Sequence, residues 1–176
     1  MRELFFILLY AFTFITGFSQ QSTESKLVNQ VFQDFNMGKT GYVDTILILL
    51  HPIHTIPRTD SNFERIKDQY KGLRKSTYDE FVGNLDKNMI LQNIETLATP
   101  FIIDQTIYKN YSEIFSKHKN ILIIELSNIG YSDDKNQALI YYGTIQGPMS
   151  GGGVYLIYEK KKTNWKLKKV IGAWAT

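Results

Sequence analysis

The sequence contains no cysteine. That excludes disulfide staples, thiolate nucleophiles and cysteine metal ligands. It also excludes a lipid anchor of the bacterial kind, which needs a cysteine at the cleavage site. Histidine is scarce: His51, His54 and His118 are the whole supply for proton shuttling or imidazole ligation. Proline numbers four, and two of these, Pro52 and Pro57, fall in one short stretch. A strong charge of either sign is missing as well. Twenty Lys and Arg against 17 Asp and Glu leave +3, spread along most of the chain, so the balance points neither to nucleic acid nor to an anionic membrane. Long apolar runs are confined to the N-terminus. No second one follows, so the product without that segment is not expected to be an integral membrane protein.

What is present suits a folded globule. The chain has 176 residues, 43% of them hydrophobic and 14% aromatic, which is enough for one domain with a real core. Residues 1–19 read as a signal peptide. Arg2 supplies the positive n-region, Leu4 to Ile15 the apolar h-region, and Gly17-Phe18-Ser19 places small residues at −3 and −1 of a cut after Ser19. The run is short for a membrane span. The expected mature chain is 20–176, a single domain, periplasmic or extracellular, held together without disulfides.

Along that chain an amphipathic helix is expected from Lys26, with Leu27, Val28, Val31, Phe32 and Phe35 on one face. Tyr42–Leu50 reads as a buried strand and His51–Pro57 as an extended loop. Ser61-Asn62-Phe63-Glu64 and Thr77-Tyr78-Asp79-Glu80 match the capping-box pattern, which predicts two helices capped by Ser61 and Thr77. Phe101–Ile107 is ambiguous between strand and helix, and Tyr108–His118 suits a short helix.

From Ile121 the pattern changes to β. Ile121–Ser132, Gln137–Gln146, Val154–Glu159 and Trp165–Trp174 read as four consecutive strands. They are separated by a polar turn at Asp133–Asn136, a glycine-rich connection at Gly147–Gly153 and an exposed turn at Lys160–Asn164. Helices first and strands later predict an α+β fold: N-terminal helices packed on a mainly antiparallel sheet that ends in a four-stranded meander.

Several motifs could carry chemistry. Gly147-Pro148-Met149-Ser150-Gly151-Gly152-Gly153 is glycine-rich, but no Lys-Ser or Lys-Thr follows and the next element is a strand, not a helix. A connection that needs glycine's freedom or a close backbone approach explains it better than a phosphate loop. His51 and His54 form an H-x-x-H pair. Pro52 between them opposes a helix, and a strand would point them to opposite faces, so they are weak metal-ligand candidates. Ser127 lacks the G-x-S-x-G elbow of a nucleophile and suits a small polar residue bonded to neighbouring backbone. Glu125 lies mid-strand among isoleucines. Inward, it would be an acid/base candidate; the rarity of buried Glu favours an outward, solvated side chain. Six lysines fall within Lys160–Lys169. They suit a guarded edge strand or an anion-binding stripe.

Taken together, Ser127-x-x-Gly130-Tyr131, Gln137-Ala138-Leu139-x-Tyr141, Gly147-Pro148-x-x-Gly151-Gly152-Gly153, Tyr155 and Trp165 resemble the C-terminal half of a group of small exported bacterial proteins. The resemblance covers roughly Tyr108–Trp174. It implies export and a β-meander, and it brings no activity or catalytic residue with it. The functional expectation is therefore a non-enzymatic exported domain that needs no cofactor. It would bind a small ligand or a protein partner, not nucleic acid, at the sheet face through Tyr131, Tyr141 and Tyr155. The alternatives are a small hydrolase using Ser127 or Glu125 with a histidine, and a metal-dependent domain at His51 and His54.

Overall fold

The structure is a computed structural model that describes residues 23–35, 45–50, 56–87, 101–104, 111–117, 120–147 and 150–175. The chain divides into two compact units. One is Met1–Gly38 with Ile90–Leu97, the other Lys39–Met89 with Ala98–Thr176. In the first, helix α1 (23–34) buries Leu27, Val28, Val31 and Phe32, which recur at helical spacing. Gln30 and Asp34 hydrogen-bond on its polar side at 2.9 Å.

The second unit is built on one seven-stranded sheet. Its strands are β1 (Thr45–Leu49), β2 (Phe101–Asp104), β3 (Ile121–Leu126), β4 (Gly130–Tyr131), β5 (Gln137–Gly147), β6 (Ser150–Lys161) and β7 (Asn164–Ala175). The order is β2-β1-β3-β5-β6-β7, with β4 also on β5. Helices α2 (Asp60–Gln69), α3 (Lys75–Asn84) and α4 (Tyr111–Lys117) complete it. The α+β expectation holds. The meander β3-β5-β6-β7 is antiparallel throughout, while β1 runs parallel to both β2 and β3. Thr45–Leu49 reads TILIL and is apolar on both faces, as a central strand with parallel neighbours requires.

One sheet face carries two apolar clusters. At the β5–β6–β7 end, α2, α3 and the turn between them lay Phe63, Ile66, Leu73, Tyr78 and Phe81 over Leu139, Tyr141, Tyr155, Ile157 and Ile171. At the β1–β3 end, α4 lays Ile114 over Leu47, Leu49, Ile121, Ile123 and Ile145. Trp174, near the end of β7, packs against both. On the opposite face Ile46, Ile48, Leu122, Ile124, Ile140, Leu156 and Tyr158 are buried as well. Burying a large apolar side chain stabilises by about 1.5–3 kcal/mol, so this two-sided sheet supplies the stability that disulfides would otherwise give.

Local details depart from the sequence pattern in four places. The cap of α2 is Thr59, not Ser61: the Thr59 hydroxyl accepts from the Asn62 N–H at 3.3 Å, and the helix starts two residues early. Helix α3 starts at Lys75, with no side-chain cap, so Thr77 lies inside it. There Thr77 is buried and its hydroxyl donates to Gln137 Oε1 at 3.0 Å, a tertiary bond that competes with capping. Glu80 likewise accepts from the Tyr131 N–H instead of closing a capping box. The strand expected over Ile121–Ser132 is broken at 127–129 into β3 and β4. Finally, Gly151–Gly153 belong to β6, paired with Ile145, Thr144 and Gly143 of β5. They are strand residues, not a loop, and no glycine of the described residues has positive φ.

Candidate functional site

Of the C-terminal pattern, Ser127, Gly130, Gln137, Tyr141, Gly153 and Tyr155 each have a structural task. Ser127 is buried where the chain leaves β3. Its hydroxyl accepts from the Tyr141 N–H at 2.9 Å and donates to the Asn128 carbonyl at 2.8 Å. The Ser127 N–H in turn donates to the Tyr141 carbonyl at 3.1 Å. The side chain thus replaces a missing backbone acceptor in the ladder of β5, a common use of serine beside main chain.

Gly130 admits helix α3. A Cβ there would lie 2.3 Å from Phe81 N and 2.4 Å from the Thr77 carbonyl, so any side chain would push the helix off the sheet. Gln137 secures the same helix from β5. Its amide donates to the Gly72 carbonyl at 2.9 Å. Its carbonyl oxygen accepts from the Arg74 N–H at 2.9 Å as well as from Thr77. Being 1% exposed, it leaves its polar atoms no access to water, so these bonds must be made inside.

Glu125 is inward, 0% exposed, which overturns the outward reading. It sits opposite Gly143 in the β3–β5 register. The Tyr141 hydroxyl donates to Glu125 Oε2 at 3.1 Å, and the Trp174 indole N–H donates to that hydroxyl at 2.6 Å. The row lies across the facing pair Gly143 and Gly153. A Cβ on Gly153 would be 2.4 Å from Trp174 Nε1 and 2.5 Å from the Tyr141 hydroxyl. The last glycine of the run is therefore required for close approach of side chains to the sheet. Burial pushes the Tyr141 phenol far above its ordinary range, and the adjacent Glu125 carboxylate adds to the shift. Tyr141 remains a neutral donor.

Tyr155 packs edge-on against Tyr141 and Phe81, with ring centroids 6.0 and 6.1 Å apart. Its hydroxyl accepts from the buried Asn62 amide at 3.4 Å, and Arg65 lies over its ring at 5.6 Å. Asn62 also donates to the Pro57 carbonyl at 2.9 Å and to the Tyr78 hydroxyl at 3.2 Å. Tyr131 stacks obliquely on Trp165, centroids 5.9 Å apart. The five strand tyrosines, Tyr131, Tyr141, Tyr142, Tyr155 and Tyr158, are at most 9% exposed. They are core residues and present no open tyrosine surface.

His51, His54 and His118 lie outside the described residues. Among the described residues no three His, Asp or Glu side chains gather into a cation site, and no helix is long and apolar enough to cross a membrane. Asn62, Gln137 and Trp174 carry much of the interior polar network. Gln137 stands in the C-terminal pattern without a role attached to it there, and the sequence assigns none to Asn62 or Trp174. The single usable sign for Trp174 was indirect: two glycine-bearing strands need something to fill the space above them.

No protein-family model matches the chain, and no curated protein and no solved structure is significantly similar to it.

Proposed function

We propose that this chain is an exported, non-enzymatic binding domain, of the same kind as the small exported bacterial proteins its C-terminal pattern resembles. The observation that carries the reading is the full engagement of Ser127. Its hydroxyl donates its one hydrogen to the Asn128 carbonyl and accepts from the Tyr141 N–H, so its proton is directed at main chain and not at a base that would activate it for attack. Glu125 supports the same view, since its carboxylate is enclosed with Tyr141 and Trp174. The pattern residues specify a scaffold, and recognition falls to its surface.

The test compares wild type with Ser127→Ala and Glu125→Gln on chromogenic ester, glycoside and phosphoester substrates, alongside thermal melts. The expected result is no turnover by any form. Ser127→Ala should lose about 1–3 kcal/mol of stability, because the Tyr141 N–H is left buried without an acceptor. Wild-type turnover abolished by either substitution in a still-folded protein would overturn the reading in favour of a hydrolase. Export has its own check: N-terminal sequencing of protein from the periplasm or medium should begin at Gln20.

A further inference from the structure

The charge of this chain is segregated. Residues 137–176 hold six lysines and one acid, Glu159, for a net +5. The whole chain is +3, so residues 1–136 are net −2. The lysines belong to the β6–β7 hairpin. Lys161, Lys162, Lys166, Lys168 and Lys169 are exposed. Lys168 pairs with Glu159 at 3.3 Å. Lys160 lies over the Trp165 ring at 5.7 Å. Among the described residues Lys161, Lys162, Lys166 and Lys169 make no ion pair.

Strand β7 ends the sheet order among the described residues, so one side of its backbone has no strand beside it. The Arg65 guanidinium donates to the Gly172 carbonyl at 3.0 Å, which occupies the C-terminal part of that side. Among the described residues, the part from Asn164 to Val170 has no strand or such bond on that side. A register shift at Ile157/Tyr158 makes Lys168 an extra residue and twists the strand there. Val170, 42% exposed, is the large hydrophobic side chain that β7 shows to solvent.

We propose that β7 is a docking edge for an extended acidic polypeptide segment of a partner protein. This rests on the binding-domain reading above and names the partner. Strand addition satisfies a row of backbone groups, and alternating acids on the incoming strand face the unpaired lysines, with an apolar residue between them against Val170. A second copy of this chain is the wrong partner, because it would set lysine against lysine. The charges that repel a copy are the ones that select an acidic strand.

The experiment measures binding by fluorescence anisotropy, using a labelled peptide of alternating Glu and Val and the same peptide with its central Val replaced by Pro. Dextran sulfate is the polyanion control. The alternating peptide should bind, more weakly as salt rises, and the Pro peptide about tenfold less tightly because it cannot complete the backbone pairing. Lys166→Glu with Lys169→Glu should abolish binding while circular dichroism stays unchanged. Should that variant fail to fold, the peptide pair and the salt series on wild type decide the matter. Equal binding of both peptides, or binding of dextran sulfate alone, would overturn the proposal in favour of a plain polyanion site. Absence of all binding at low salt would leave β7 as a guarded edge and overturn it too. None of these outcomes depends on turnover, so the docking proposal can fail while the non-enzymatic reading stands.

Discussion

The two clusters on the helix-facing side of the sheet solve the same packing problem with different side chains. The α2–α3 end is aromatic and clamped. Phe63, Tyr78, Phe81, Tyr141 and Tyr155 meet ring to ring, and Asn62 and Gln137 tie their elements together at fixed points. The buried members of the α4 end are aliphatic, Leu47, Leu49, Ile114, Ile121, Ile123 and Ile145, with no polar atom among them and the partly buried Phe115 and Trp174 against them. Area burial stabilises both. Only the first end also dictates register and orientation, because a ring edge or an amide has few acceptable partners, whereas branched chains repack.

That contrast can be broken from its strongest point downward. Phe81→Ala removes a fully buried ring that touches Tyr78 and Tyr155. It should cost about 3–5 kcal/mol, read from the midpoint of chemical denaturation. Gly130→Ala leaves every contact of the aromatic end nominally present but forces α3 outward. About 1–3 kcal/mol is expected, and near-ultraviolet circular dichroism should weaken with it. Ile123→Leu at the aliphatic end keeps volume and should cost less than about 1.5 kcal/mol with the aromatic signal intact. Equal losses from Ile123→Leu and Gly130→Ala would erase the distinction.

Alkali sharpens the same comparison, since only the aromatic end titrates. Burial raises the phenols of Tyr78, Tyr141 and Tyr155. At the rim Tyr70 is pushed up to about 12, first by burial and then by its 2.6 Å bond to Glu159. A folded value above the unfolded one means stability is full below pH 10. It is lost as pH rises through the folded values, because the unfolded chain ionises first. Phenolate absorbance should therefore rise in a cooperative step together with unfolding. A gradual rise, with the fold intact, would show the rings to be accessible.

Much of the fold was legible beforehand because it follows from periodicity. The meander, the helix of 23–34 and the α2 region are set by which positions are apolar, and that is written locally. What was not legible depends on residues far apart. Thr77 looks like a cap until Gln137 is beside it, and Glu125 looks too polar to bury until Tyr141 and Trp174 close over it. Gly151–Gly153 resemble a loop because glycine marks both freedom and crowding. Here Gly153 marks crowding, by an indole that arrives from the next strand but is coded more than twenty residues on. The tyrosines misled in the same way: amphipathic rings suit surfaces and cores alike, and neighbours decide.

The hydroxyl of Ser127 has one more consequence, visible on the scale of amide hydrogen exchange. Where the chain leaves the sheet between β3 and β4, the facing N–H of Tyr141 would ordinarily be an open door for solvent. Bonded to a side chain, it is as closed as a ladder amide. Its exchange should need the β3–β4 break itself to open, so this single proton becomes a reporter of the seam and distinguishes local fraying there from unfolding of the whole sheet.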